Sequence, residues 1–162
     1  MSRRSFVGSA LALPLGLPGQ QQPVPSPTRP VGKVPSGTGR FNEVVKLPGG
    51  NLLYVKVAAE ETDGAVFMAE QPNGPRGVGP PTHYHENVDE WWYVLAGEYV
   101  FEIGGQRFRL GPGESKLGPR RVPHTFAYDA PGPGRLLVGF TPAGRMESFF
   151  RSHCSISAMD IR

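Results

Sequence analysis

The chain of 162 residues carries 17 Lys and Arg against 14 Asp and Glu, a formal net charge of +3, with 38% apolar residues and one cysteine. That length supports one domain with a sizeable core, the apolar content excludes a bundle of membrane helices, and Cys154 alone excludes an internal disulfide and a multi-thiolate zinc site. Without Arg3 and Arg4 the basic residues fall to 15 against 14 acids, which leaves no electrostatic footprint for nucleic acid.

The chain begins with a paired-arginine segment, Ser2-Arg3-Arg4-Ser5-Phe6, followed by a short, mildly apolar run to Leu17. Residues 1–20 resemble a twin-arginine export signal, which implies a periplasmic protein; a basic N-terminus on a cytoplasmic protein is the alternative. The run is far shorter than the ~20 residues of a membrane-spanning helix, so stable insertion is not expected. Residues 21–38 are rich in Pro and Gln and read as an extended linker that buries no core.

From residue 39 the pattern changes to short apolar alternations separated by turn signals. Asn42 to Leu47, Leu52 to Ala58 and Val66 to Glu70 read as strands, and Trp91 to Leu95 forms another apolar run. Glu98 to Ile103 and Gln106 to Leu110 flank Gly104-Gly105, a two-residue hairpin loop of the kind that demands positive φ. Leu136 to Thr141 supplies the last strand. With 22 Gly, 18 Pro and no long helical period, residues 39–142 are expected to form an all-β double-sheet jelly-roll barrel of eight to ten strands. Met146, Phe149 and Phe150 then fall at i, i+3 and i+4, and residues 143–162 read as a short C-terminal helix and tail that packs on the barrel.

Between Gly77 and Gly97 stand His83, His85 and Glu90, and between Gly113 and Tyr128 stand Pro119 and His124. In an extended strand residues i and i+2 share a face, so His83 and His85 project together while Tyr84 turns away toward the surface. One histidine on a strand is usually packed or solvated, and one carboxylate is usually solvated. Three imidazoles and a carboxylate at these spacings instead suit one divalent ion, with positions left open for reactants. His153 lacks such a pattern and reads as a solvated helix residue. Strand parity puts Trp92 and Val94 on the side of Glu90, and Phe126 on that of His124; with Phe140 these are the candidate pocket residues.

The two segments resemble the motifs of the cupin superfamily. The first, G(X)5HXH(X)3,4E(X)6G, is matched at Gly77, His83, His85, Glu90 and Gly97. The second, G(X)5PXG(X)2H(X)3N, is matched at Gly113, Pro119 and His124, with Arg121 and Tyr128 in place of its second Gly and its Asn. The resemblance implies the barrel, a homodimer through outer strands, and one metal ion held by His83, His85, Glu90 and His124, its identity open among manganese, iron, nickel, cobalt, copper and zinc. The surrounding residues are similar to single-domain cupins of the quercetin 2,3-dioxygenase-like group. That implies a small-molecule substrate, dioxygen, and Glu90 as the catalytic base that takes a proton from an enol or phenol. A decarboxylase or isomerase on the same site, or a module that binds a ligand or metal without turnover, stands as the alternative.

Export through Arg3 and Arg4 is testable by replacing both with lysine. The variant is expected to accumulate in the cytoplasmic fraction, whereas periplasmic recovery equal to wild type counts against the twin-arginine reading.

Overall fold

The computed structural model describes residues 32–72 and 75–158; the expected export segment, and the linker up to residue 31, lie outside these. Ten strands are formed among the described residues: β1 (Glu43–Lys46), β2 (Leu52–Val57), β3 (Phe67–Pro72), β4 (Asp89–Ala96), β5 (Tyr99–Ile103), β6 (Gln106–Leu110), β7 (Ser115–Gly118), β8 (His124–Tyr128), β9 (Arg135–Thr141) and β10 (Ser155–Ala158). One helix, α1 (Met146–His153), lies between the last two. Seven strands form one sheet in the order β10-β1-β2-β3-β9-β4-β7, and three form the other in the order β6-β5-β8. All pairings are antiparallel.

The alternation seen in the sequence becomes the inside and outside of this double-sheet jelly roll. Along β4, Glu90, Trp92 and Val94 are buried while Tyr93 and Leu95 are exposed; along β5, Tyr99, Phe101 and Ile103 are buried. Trp92, Phe67, Phe101, Phe140, Leu53 and Leu136 fill the space between the sheets with almost no exposure. Each such side chain contributes roughly 1.5–3 kcal/mol by leaving water. Trp92, on the larger sheet, packs across the interior on two rings of the smaller sheet, with centroids 5.1 Å from Phe101 and 5.7 Å from Phe126. The hairpin between β5 and β6 turns at Gly104 (φ 58°) and Gly105 (φ 77°), both in the region only glycine enters freely.

Two expectations need correction. The residues after α1 are more than a tail: β10 pairs with β1, Val45 opposite Ile156, and covers that strand's outer edge. Ser-Ile-Ser-Ala has no apolar run to announce a strand; its pairing comes from the unpaired edge of β1. The pair His83 and His85 also does not sit on a named strand. Only His83 makes a bridge, to His124, because Gly79, Pro80 and Pro81 precede it and interrupt the ladder.

The stretch from Gly77 to His83 nevertheless follows the free edge of β8. Gly77 N–H donates to Tyr128 O at 2.8 Å, His83 N–H to His124 O at 3.0 Å, and His124 N–H to His83 O at 2.8 Å. The Thr125 hydroxyl donates to Pro80 O at 2.6 Å. At Gly79 the backbones approach so closely that a Cβ would lie 1.7 Å from Phe126 O. Since a strand carbonyl cannot yield, Gly79→Ala is expected to destabilise the protein by about 1–3 kcal/mol, the usual cost of overpacking. Gly132→Ala, where a Cβ meets nothing within 4 Å, should leave the thermal midpoint nearly unchanged. Equal midpoints for the two variants would contradict this account.

Candidate metal centre

Three segments deliver the four ligating side chains: the connection before β4, β4 itself and β8. His83 and His124 arrive from opposite sides of their mutual bridge, so one pair of backbone hydrogen bonds fixes both Cα positions. Glu90 comes from β4. His85 is held by its carbonyl, which accepts the Arg121 N–H at 2.7 Å. Arg121 stands where the motif has glycine, and its φ of 64° is the left-handed conformation that glycine would supply. The turn is therefore kept with an arginine at its corner. Next to it, Arg120 donates from its backbone to Asp89 at 2.8 Å and from its guanidinium at 3.1 and 2.7 Å, tying this loop to the start of β4. The Arg120 side chain, followed by its backbone N–H, holds the Asp89 carboxyl down to about 2.

One ligand atom from each of His83, His85, Glu90 and His124 lies within 4.8 Å of the others. Glu90 Oε2 is 2.9 Å from His85 Nε2, 3.2 Å from His124 Nε2 and 3.8 Å from His83 Nε2. The other carboxylate oxygen, Oε1, accepts the Trp92 indole N–H at 3.0 Å. The far ring nitrogens are also engaged: His83 Nδ1 is 2.8 Å from Pro81 O and His124 Nδ1 is 2.9 Å from Val122 O. A carbonyl only accepts, so each Nδ1 carries a hydrogen and a neutral ring turns its Nε2 lone pair toward Glu90 Oε2. Lone pairs facing a carboxylate oxygen require a cation among them, either a proton or a metal ion. Burial pushes Glu90 up, but hydrogen bonds from His124, His83 and His85, which the rings donate when a proton sits on Nε2, outweigh it and keep its carboxyl well below the usual range. The hydrogen bond with Glu90 raises His83, against the effect of burial. The donor set, the fixed tautomers and the carbonyl and indole partners behind the ligands all fit a divalent ion.

The centre opens on one side. His124 and Glu90 are buried, whereas the His83 side chain keeps 32% of its exposure. A cavity of about 970 Å³ reaches the ligands there. Of the four candidate pocket residues, Phe126 and Phe140 line it and Trp92 and Val94 do not. Parity placed those two on the inner face correctly, but they stand behind the ligands: Trp92 supports Glu90 and crosses the His124 ring at 5.3 Å, and Val94 is fully buried further along β4.

Several lining residues escaped the sequence reading. Tyr84, expected to face away from the site, is 53% exposed yet lines the mouth. The helix α1 is more than packing, because Met146, Phe149 and Phe150 form a wall of the cavity and His153 lines it while exposed. Phe150 is anchored against Phe67 and Phe140, both with centroids 6.0 Å away. Helical spacing of the apolar residues signalled the helix; nothing local signalled that the barrel would be open beneath it.

Residues 73–140 match the family described as cupin domain. The chain carries a cupin domain. Its sequence is 32% identical over 135 residues to quercetin 2,3-dioxygenase of Bacillus subtilis (strain 168), a stretch that is 73% of this chain but 40% of that longer protein. In fold it is similar to KdgF from a Halomonas species (TM-score 0.52, 23% identity, 59% of this chain and 81% of that one). It is likewise similar to an RmlC-like cupin from Shewanella frigidimarina (TM-score 0.55, 21% identity, 64% and 86%).

Removing one imidazole of the cupin cluster leaves three donors and is expected to lower divalent-metal affinity at least tenfold. His83→Ala and His124→Ala should therefore lose most of their metal by elemental analysis after dialysis, while His153→Ala retains it. Equal retention in all three would contradict the assignment of the ligands.

Proposed function

We propose that this cupin is a metal-dependent dioxygenase acting on small enolic or phenolic molecules, with His83, His85, Glu90 and His124 holding the ion. The observation that carries this reading is the convergence of three imidazole nitrogens and a carboxylate oxygen at the inner end of an apolar cavity that leaves one side of the cluster open. Similarity to a quercetin 2,3-dioxygenase supports the reaction class. When bound, the metal supplies Lewis acidity, which makes an enol or phenol hydroxyl beside it a stronger acid.

The chain's own groups supply the rest. Glu90 is ionised at neutral pH and takes the hydroxyl proton on Oε2, the oxygen that faces the cluster. The Trp92 N–H holds Oε1 and prevents the carboxylate from rotating. A carboxyl held so low is a weak base, so the transfer requires a hydroxyl that is itself acidified. Phe126, Phe140 and Phe150 exclude water and offer flat apolar surface to a ring.

A second reading is favoured by Glu86, which lines the same cavity and pairs with Arg121 at 3.4 Å. A decarboxylase needs a proton-donating carboxyl near the metal, and Glu86 is the further carboxylate the cavity offers among the described residues.

The test is oxygen uptake with flavonols, catechols and diketones on protein loaded with manganese, iron, cobalt, nickel or copper. Glu90→Gln removes the basic oxygen at constant size, and about a 100-fold or greater loss of turnover is expected, the usual weight of a general base. Its metal content should fall less than its turnover. Absence of uptake with every metal would favour a binding module, and oxygen-independent release of CO2 that Glu86→Gln abolishes would favour the decarboxylase.

A further inference from the structure

Most guanidinium groups among the described residues are paired. Arg40, Arg76, Arg109, Arg120, Arg121, Arg135 and Arg151 each lie within 4.0 Å of a carboxylate oxygen. Arg145 has no such partner among the described residues, although its backbone carbonyl accepts bonds from Phe149 N–H and the Ser148 hydroxyl. Arg107 is also without one, but it stands on β6 and does not line the cavity. Arg145 does, at the residue that caps the N-terminus of α1, and among the described residues it is the only Arg or Lys in the lining.

The charge balance of the cavity follows. Its two carboxylates are already engaged, Glu86 by Arg121 and Glu90 by the three imidazoles. A divalent ion among the ligands would leave a surplus of positive charge after Glu90 is counted, and Arg145 adds one more. A cavity of largely apolar lining with surplus cations at two separated places suits an organic anion. The same helix gives the cavity an aromatic wall: Phe149 and Phe150 line it together with Met146, which directly follows Arg145 in the chain.

We infer that the substrate class of this cavity is an aromatic or similarly apolar carboxylate, its acid group bound by the Arg145 guanidinium while its hydroxyl end reaches the His83, His85, Glu90 and His124 cluster. The inference rests on the reading of this cavity as a small-molecule site. A guanidinium takes a carboxylate through two parallel N–H donors, which fixes the distance and direction at which the far end of the molecule is presented. Arg145 is thus a specificity-determining residue and takes no part in the chemistry.

The experiment uses two catechols of matched size, 3,4-dihydroxyphenylacetate and 4-ethylcatechol, titrated calorimetrically into zinc-loaded protein, where no oxygen chemistry interferes. The acid is expected to bind about tenfold or more tightly than its neutral partner, as one charge-assisted contact would produce. Arg145→Ala should bring the two within about threefold, Arg145→Lys should keep part of the preference, and Arg145→Glu should reverse it. Arg145 is exposed, so thermal midpoints close to wild type are expected for all three. Equal affinities in the wild type, a preference that survives in Arg145→Ala, or no binding of either compound would each overturn the inference. Oxygen uptake by the same pair on the iron-loaded protein separates the two ideas. Uptake without a charge preference leaves the dioxygenase reading standing alone, and a charge preference without uptake leaves only the anion site.

Discussion

The contact between the stretch from Gly77 to His83 and the edge of β8 is the constraint on which the rest of this protein depends. It satisfies backbone groups that a sheet edge would otherwise expose, and it sets the spacing of His83 and His124 with the same hydrogen bonds. Structural closure and ligand geometry are therefore one feature. A change that loosened the edge would separate the imidazoles before it unfolded the barrel, since Glu90 and His85 are held independently by β4 and by the Arg121 turn.

Around that contact the ligands are supported from behind. Carbonyls of Pro81 and Val122 fix the His83 and His124 tautomers, and the Trp92 indole fixes Glu90. Trp92 is also among the largest fully buried side chains, so the orientation of the carboxylate is tied to the packing of both sheets. This explains how a buried carboxylate can stay ionised: the donors that stabilise its charge are built into the core and cannot move away when solvent is excluded.

Much of this was legible in the chain. The period-two alternation of β4 and β5, the Gly104-Gly105 turn and the spacings from Gly77 to Gly97 and from Gly113 to His124 are local signals, and each appears in the fold within a residue or two of its expected place. What was not legible depends on partners distant in sequence. β10 exists because β1 has an open edge, Tyr84 meets the cavity because its segment leaves the ladder after His83, and α1 forms a wall because the barrel beneath is open. Parity told which face Trp92 occupies, but not whether that face was cavity or packed core at that depth. Arg121 shows the converse case: the sequence departs from the motif, yet the backbone keeps the conformation because its N–H is needed at His85 O.

The helix that walls the cavity is fastened at its edges by polar contacts. Glu147 accepts the Ala59 N–H at 2.8 Å, Arg151 pairs with Glu43 at 2.9 Å, and the guanidinium lies 4.6 Å above the Phe41 ring. These anchors lie on β1, just before it and just after β2, whereas the ligands come from β4, β8 and the connection before β4. The candidate ligands and this wall of the cavity are thus written in separable stretches of sequence. Exchanging Arg145, Met146, Phe149 and Phe150 while keeping Glu147 and Arg151 would reshape the cavity and leave the four candidate ligands untouched, so divergence in this barrel has a short path open to it.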